Sequence, residues 1–256
     1  MECKEFFHIK LPEEFFSVPC RYAILPGDPG RTELIASYME NPRFVSSNRE
    51  YTAWEGYIKG EKVLAMSTGI GGPSTAICVE ELIQAGIDTF VRVGSCGGIN
   101  LDVCGGDLIV ATGAVRMEGT SREYMPIEFP AVADFDVVCA LAQAAKKIAP
   151  THVGVVQCKD SFYGQHAPET MPVRDILTAK WQAWKEAGVL ASEMESATLF
   201  TVAAVRHARA GTVLSCFWNQ ERAAANLPDE QCIDTKNAVK AAVDALAILI
   251  ENDKNN

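Results

Sequence analysis

Phe90-Val91-Arg92-Val93-Gly94-Ser95-Cys96-Gly97-Gly98 decides how the chain reads. Thr89 to Val93 is an apolar run with one charged member, Arg92, and it gives way to Gly and small polar residues. The pattern predicts a short buried strand of a parallel sheet followed by a loop. Ligands bind beyond the carboxyl ends of such strands. A guanidinium inside an apolar strand needs an anion or a polar crevice. Glycines let backbone N–H groups approach an oxyanion closely, and Ser95 adds a hydroxyl. Two readings follow: one wall of a phosphate site, or an arginine paired with a carboxylate inside the fold.

Upstream, Arg21 to Leu25 predicts a first strand, Pro26-Gly27-Asp28-Pro29-Gly30-Arg31 a turn, and Thr32 to Met39 a helix. Arg31 sits at the helix start, where a positive charge does not help the helix dipole. That placement favours a ligand role. Tyr51–Lys59 and Lys62–Ser67 predict paired strands with a turn at Gly60-Glu61. The following Ser67-Thr68-Gly69-Ile70-Gly71-Gly72-Pro73-Ser74-Thr75 is neither a dinucleotide fingerprint nor a Walker A loop. It opens an apolar helix over 75–84.

Downstream, strands are predicted at 107–115, 152–158, 189–191 and 211–217, and helices at 134–149, 175–187, 197–208 and 233–251. Residues 218–228 predict a polar loop, and 251–256 a frayed end. Strands and helices alternate with short connections. This predicts one three-layer α/β/α domain over residues 1–256, with a mixed, largely parallel sheet.

Bulk properties narrow the function. The chain has 256 residues, 48% hydrophobic and 22% charged, with a net charge of -10. That charge argues against non-specific binding to nucleic acid or a membrane surface, and leaves a small anionic substrate open. The nine cysteines are scattered, with no CxxC pair. A reduced cytoplasmic compartment is expected. The acidic start, Met1-Glu2-Cys3-Lys4-Glu5, predicts no signal peptide, and no run approaches a membrane span.

Several sharp features fall just after predicted strands: Gly27 and Arg31, Gly94 and Ser95, Phe162 and Gln165, Glu193 and Glu195. Strand ends of one sheet converge, so these groups are candidates to line one crevice. Its content is arginines for an anion, carboxylates for hydroxyls, and an aromatic with an amide for a flat heterocycle. Alternatives stand beside this reading. Glu193 and Glu195 suit the capping of a following helix, Phe162 suits core packing, and a lone His8 suits a structural or solvated role.

Gly27-Asp28-Pro29 with Arg31, the run 67–75, Arg92-Val93-Gly94-Ser95, Phe129–Phe135 and Glu193-Met194-Glu195-Ser196-Ala197 resemble the nucleoside phosphorylase family, its uridine-cleaving branch most closely. The resemblance runs from His8 to the closing helix. It implies phosphate held by Gly27, Arg31, Arg92, Gly94 and Ser95, with Arg49 from a neighbouring subunit. It implies ribose held by Met194 and Glu195, with Glu193 beside them and His8 from the neighbour. It implies a base near Phe162, Gln165 and His166, alongside Cys96 and Gly97. Glu50, Ile70 and Ser74 match positions that hold potassium between subunits in some relatives. Inorganic phosphate is the implied co-substrate, with no other cofactor required, and the implied assembly is a homo-oligomer, a dimer or a hexamer of dimers. The implied reaction is phosphorolysis of uridine, with deoxyuridine and thymidine as candidates, in pyrimidine salvage. A purine nucleoside phosphorylase, a nucleosidase using water in place of phosphate, and a non-enzymatic nucleoside-binding protein are the alternatives.

Two departures concern the base end. The family's arginine two residues after the base-binding Gln is Ala167 here, and its arginine after an Asn in the last-strand loop is Gln220, following Asn219. The purine branch's Asp in that loop is absent from Trp218-Asn219-Gln220. His166 and Arg222 are the candidate substitutes, with Arg222 expected to swing in from the loop.

Overall fold

The computed structural model describes residues 6–255. The acidic start with Cys3, and Asn256, lie outside the described residues. The described strands are β1 (Tyr22–Pro26), β2 (Glu40–Asn48), β3 (Tyr51–Ile58), β4 (Glu61–Met66), β5 (Thr89–Gly98), β6 (Leu108–Met117), β7 (Ala131–Val132), β8 (Thr151–Lys159), β9 (Ala191–Glu193) and β10 (Arg209–Asn219). The helices are α1 (Arg31–Ala36), α2 (Gly72–Gln84), α3 (Thr120–Tyr124), α4 (Phe135–Ala145), α5 (Phe162–His166), α6 (Arg174–Glu186), α7 (Ser196–Val205), α8 (Gln220–Ala224) and α9 (Lys236–Asn255).

β5 is the spine of one mixed sheet. It runs parallel to β1 on one side and to β10 on the other, with Arg92 opposite Leu25 and Thr212. β1 continues in parallel to β4, and β3 and β2 extend that wing antiparallel. On the other side β10 pairs antiparallel with β6, β6 and β8 run parallel, and β8 runs parallel to β9. β9 then returns antiparallel to the end of β5, Ser192 opposite Gly97. The sheet therefore closes on itself through β5, β10, β6, β8 and β9.

Helices cover both faces, as alternating strands and helices require. Residues of β1 alternate between two apolar clusters: Ala23 and Leu25 pack with α2 and α7, Tyr22 and Ile24 with α1 and α9. α7 is buried from Ser196 to Ala203, whereas α6 has no buried residue. No helix among the described residues is long and apolar enough to cross a membrane.

Four features differ from expectation, the first being that the polar loop expected at 218–228 holds the end of β10 and the short helix α8. The Gly-rich segment after Val93 is not a loop but the second half of β5. A Cβ on Gly94 would lie 2.8 Å from both Arg92 Nη2 and Leu214 Cδ2, and one on Gly98 would lie 2.7 Å from Asn219 Nδ2. These glycines give room across the strand rather than a turn. β2 was not expected at all, because an edge strand exposed from Glu40 to Phe44 carries no apolar alternation. The end expected to fray is instead helical to Asn255: Asp253 accepts hydrogen bonds from Tyr22 Oη at 2.9 Å and Arg209 Nη2 at 2.5 Å, and Lys254 Nζ donates to Lys59 O at 2.8 Å.

Close packing of α4 on β10 gives a test. A Cβ on Gly211 would lie 2.4 Å from Val137 Cγ1. Gly211→Ala is expected to cost about 1–3 kcal/mol by overpacking, lowering Tm by roughly 3–10 °C in a domain of this size. Thermal unfolding followed by circular dichroism checks it.

Candidate active site

The carboxyl ends of β1, β4, β5 and β8 open into a cleft of about 770 Å³. Gly27, Arg31, Arg92, Gly94, Ser95, Cys96, Gly97, Phe162, His166, Glu193, Met194 and Glu195 all line it. So do Glu50 and Ile70 from the expected cation group. Residues scattered over most of the chain are gathered because strand ends of one sheet meet.

Arg92 has the carboxylate partners of the second reading of the opening motif, and one of its donors is left over. It is 4% exposed, and its Nε donates to Glu193 Oε2 at 3.2 Å while Nη2 donates to Glu195 Oε2. It is thus a core arginine paired with carboxylates. Yet its buried Nη1 has no hydrogen-bond partner among the described residues. A Cβ on Gly27 would lie 3.9 Å from that Nη1, so the orphan donor faces the β1 turn. Buried polar groups are almost always paired, so an orphan donor at a cleft wall stands out.

Arg31 stands at the same end. Burial pulls its basicity down, with Asp28 opposing, and the nearest Asp28 oxygen is 3.8 Å away, too long for a hydrogen bond. The Ser95 hydroxyl makes no hydrogen bond to another described residue. One guanidinium with only a long ion pair, one orphan N–H and one hydroxyl line the cleft here, a set suited to a tetrahedral oxyanion.

The carboxylates divide their work. Glu193 caps α7, accepting from Ser196 N at 3.0 Å through both oxygens and from Glu195 N at 3.0 Å. The capping alternative therefore holds for Glu193, which also carries Arg92. Glu195 Oε1 accepts from Gly71 N at 2.7 Å, at the N-terminus of α2. Gly71 has φ +89°, a conformation that favours glycine. Burial pushes the Glu195 carboxyl up, with Arg92 the largest opposing influence.

At the other end, Phe162 is half exposed and packs against His166 with ring centroids 4.3 Å apart, the rings tilted by 39°. Burial, then the charge of Lys159, pushes the His166 imidazole down, so it is neutral near pH 7. Gln165 faces an adjoining cavity of about 620 Å³, which shares Lys159, His166 and Trp218 with the main cleft. Gln220 lines that cavity too. Asn219 is fully occupied: its Nδ2 donates to Asn100 O and Val103 O at 2.8 Å, and its Oδ1 caps α8. The expected swing of Arg222 is not what the structure shows. Its Nε and Nη2 donate to Pro228 O at 3.0 and 2.7 Å and its Nη1 to Leu101 O, which ties it to backbone outside both cavities.

His8 and Arg49 do not line the cleft of their own chain. His8 Nδ1 lies 2.8 Å from Glu81 Oε1 on α2, and Arg49 sits exposed in the β2–β3 turn with φ +56°. Ser74 Oγ donates to Ile70 O at 3.2 Å, and Glu50 and Ser74 both crowd Gly69. The three expected cation residues are therefore neighbours.

Lys159 is the functional candidate that the sequence reading missed. It was assigned only to the segment after a strand. A cation closing the apolar β8 beside Cys158 repeats the pattern of Arg92 in β5, and that was the available signal.

A model described as the phosphorylase superfamily matches residues 21–252. The chain belongs to this superfamily. Among its curated relatives, a uridine phosphorylase of Treponema pallidum (strain Nichols) is 54% identical over 91% of this chain and 90% of its own. A uridine phosphorylase of Escherichia coli (strain K12) is 42% identical over 98% of this chain and 100% of its own. A guanosine phosphorylase of Halorubrum lacusprofundi is 37% identical over 89% of this chain and 93% of its own.

The two arginines of this phosphorylase separate by stability. Arg92→Met leaves two buried carboxylates unpaired and is expected to cost about 3–5 kcal/mol. Arg31→Ala strands no buried acid, so its Tm should stay at the wild-type value. Both should lower phosphate-dependent turnover by about a hundredfold or more. Calorimetry beside a turnover assay distinguishes them; equal Tm losses would contradict the assignment.

Proposed function

We propose that this chain cleaves uridine with inorganic phosphate, giving uracil and ribose 1-phosphate. The observation that carries the reading is the buried Arg92 Nη1, without a hydrogen-bond partner among the described residues, at a cleft wall that Arg31 also lines. Nucleoside binding alone needs no such anion clamp. Relatives named uridine phosphorylase at 42–54% identity over nearly the whole chain support the substrate.

Glycosidic cleavage passes through an oxocarbenium-like transition state. Phosphate is the nucleophile, so a catalytic Ser or Cys is not needed. Arg31, Arg92, Ser95 and the Gly27 and Gly94 backbone hold it below the sugar, and its charge stabilises the cationic ring. Glu195, fixed by Gly71 N–H and Arg92, accepts from ribose hydroxyls beside Met194. Phe162 and His166 flank the base, and the Gln165 amide meets its carbonyl and N–H edge.

His8 and Arg49 serve a neighbouring copy in this reading, since both lie outside their own cleft and on exposed or half-buried surface. Glu50, the Ile70 carbonyl and Ser74 Oγ supply one carboxylate, one carbonyl and one hydroxyl. Three oxygens do not enclose a cation, so they fit half of a potassium site shared across a two-fold axis. A bound potassium would supply electrostatic cohesion at that interface. The guanosine phosphorylase relative favours a purine reading, but the last-strand loop offers no Asp and Asn219 is fully bonded.

Incubation with a panel of uridine, deoxyuridine, thymidine, inosine and guanosine tests the substrate. Uridine should be consumed only when phosphate is present, and preferential cleavage of inosine or guanosine would overturn the assignment. The assembly has its own test. Mixing inactive Arg49→Ala chains with inactive Glu195→Ala chains should restore part of the activity through hybrid sites, whereas a fully active monomer in sedimentation would refute it.

A further inference from the structure

We propose that Lys159 is the residue that reads the base, its ammonium donating to a uracil carbonyl oxygen and balancing the charge that the base acquires as it leaves. The inference rests on the uridine reading above and adds a residue to it.

Position is the first support. Lys159 ends β8 and lines both the main cleft and the adjoining cavity that holds Gln165. Three cationic side chains line the main cleft, and Arg31 and Arg92 belong to its anion end. Lys159 stands at the opposite end, with His166 and Trp218.

Incomplete satisfaction is the second. Lys159 is 4% exposed, and its one hydrogen bond is from Nζ to Ser192 Oγ at 2.5 Å. An ammonium has three N–H donors, so two lack a partner among the described residues. No carboxylate of the described residues lies within ion-pair distance of it. Burying such a charge is costly unless something pairs with it. Burial pulls its basicity down, with Glu193 the largest opposing influence.

The third support is the lack of competitors. Positions 167 and 220 are Ala and Gln, and Arg222 is tied to Pro228 and Leu101 carbonyls. His166 is neutral. The Ser192 hydroxyl also ties Lys159 to the amide expected to meet the base: its Oγ lies 2.6 Å from Gln157 Oε1 and 2.5 Å from Gln165 Oε1. One hydroxyl proton serves only one of these at a time, so Gln157 can hold Ser192 while Gln165 turns to the base.

The chemistry balances. The C1′–N1 bond breaks with its electron pair passing to the base, and a phosphate oxygen bonds to C1′. Monohydrogen phosphate loses its proton on becoming the ester, and the departing uracil anion takes up one. Lys159 keeps its own proton and acts as a fixed positive donor where charge develops.

The test compares wild-type enzyme with Lys159→Met. Uridine kcat/KM should fall by about a hundredfold or more, with the phosphate KM changed by less than about twofold. With 5-fluorouridine, whose base is the more stable anion, the loss should be smaller by roughly fivefold or more. A purely structural lysine would damage both substrates equally, so equal losses, or no loss, would overturn the proposal. A measurement on wild-type protein alone covers a variant that does not fold. 5-Nitrouracil, an anion near neutral pH, should bind at least about tenfold more tightly than uracil by calorimetry, and equal binding would overturn the assignment. If wild-type enzyme does not cleave uridine at all, the uridine reading fails first and takes this one with it.

Discussion

A buried guanidinium held between two buried carboxylates is the constraint on which this molecule depends. Arg92 lies in the first half of β5 and binds Glu193 and Glu195, which follow from β9 into α7. Each member needs the others, because a lone buried charge is far more costly than a paired one. Local sequence bends to this demand. Gly94 lacks a side chain because Arg92 Nη2 and Leu214 fill its space. Gly71 takes a left-handed conformation and gives its N–H to Glu195. Glu193 spends its remaining acceptors on the first turn of α7.

The charge balance around this triad explains why the cleft suits an anion. Arg92 pairs with Glu193 and Glu195, all three nearly inaccessible to water. Arg31, facing the same space, has only a distant Asp28. At the β1 end of the cleft, Arg31 and the Arg92 Nη1 carry donors without a hydrogen-bond partner among the described residues, with Asp28 and Glu50 also in the lining. In the proposed reading, a phosphate oxyanion would use these donors.

The opposite end is arranged differently. Phe162 against His166, the Gln165 amide and the Ser192 hydroxyl present a largely neutral surface, and Lys159 is its single cation. In the proposed reading, ribose would lie between the two ends, against Met194 and Glu195. Leaving-group and nucleophile charges would then be met at separate places, as a reaction with a cationic sugar between two anions requires.

Sequence alone determined the strand–helix alternation, the mixed sheet and most of the cleft. Apolar runs such as Phe90–Val93 announce buried strands, and Gly, Arg and Glu at strand ends mark where a sheet opens to a ligand. Period and composition are local properties, and these elements obey local rules. Tertiary structure decided the rest. Gly94 to Gly98 read as a loop and are strand, because their glycines answer to Arg92, Leu214 and Asn219, which lie elsewhere in sequence or across the sheet. The edge strand β2 carries no apolar alternation because its first half faces solvent. Arg222, a plausible donor by position, is held by carbonyls of Leu101 and Pro228 that only folding brings near it. Lys159 became visible only when ring closure through β8 and β9 set it beside Ser192 and Gln165, since partners of a buried charge are chosen by packing and not by neighbours in the chain.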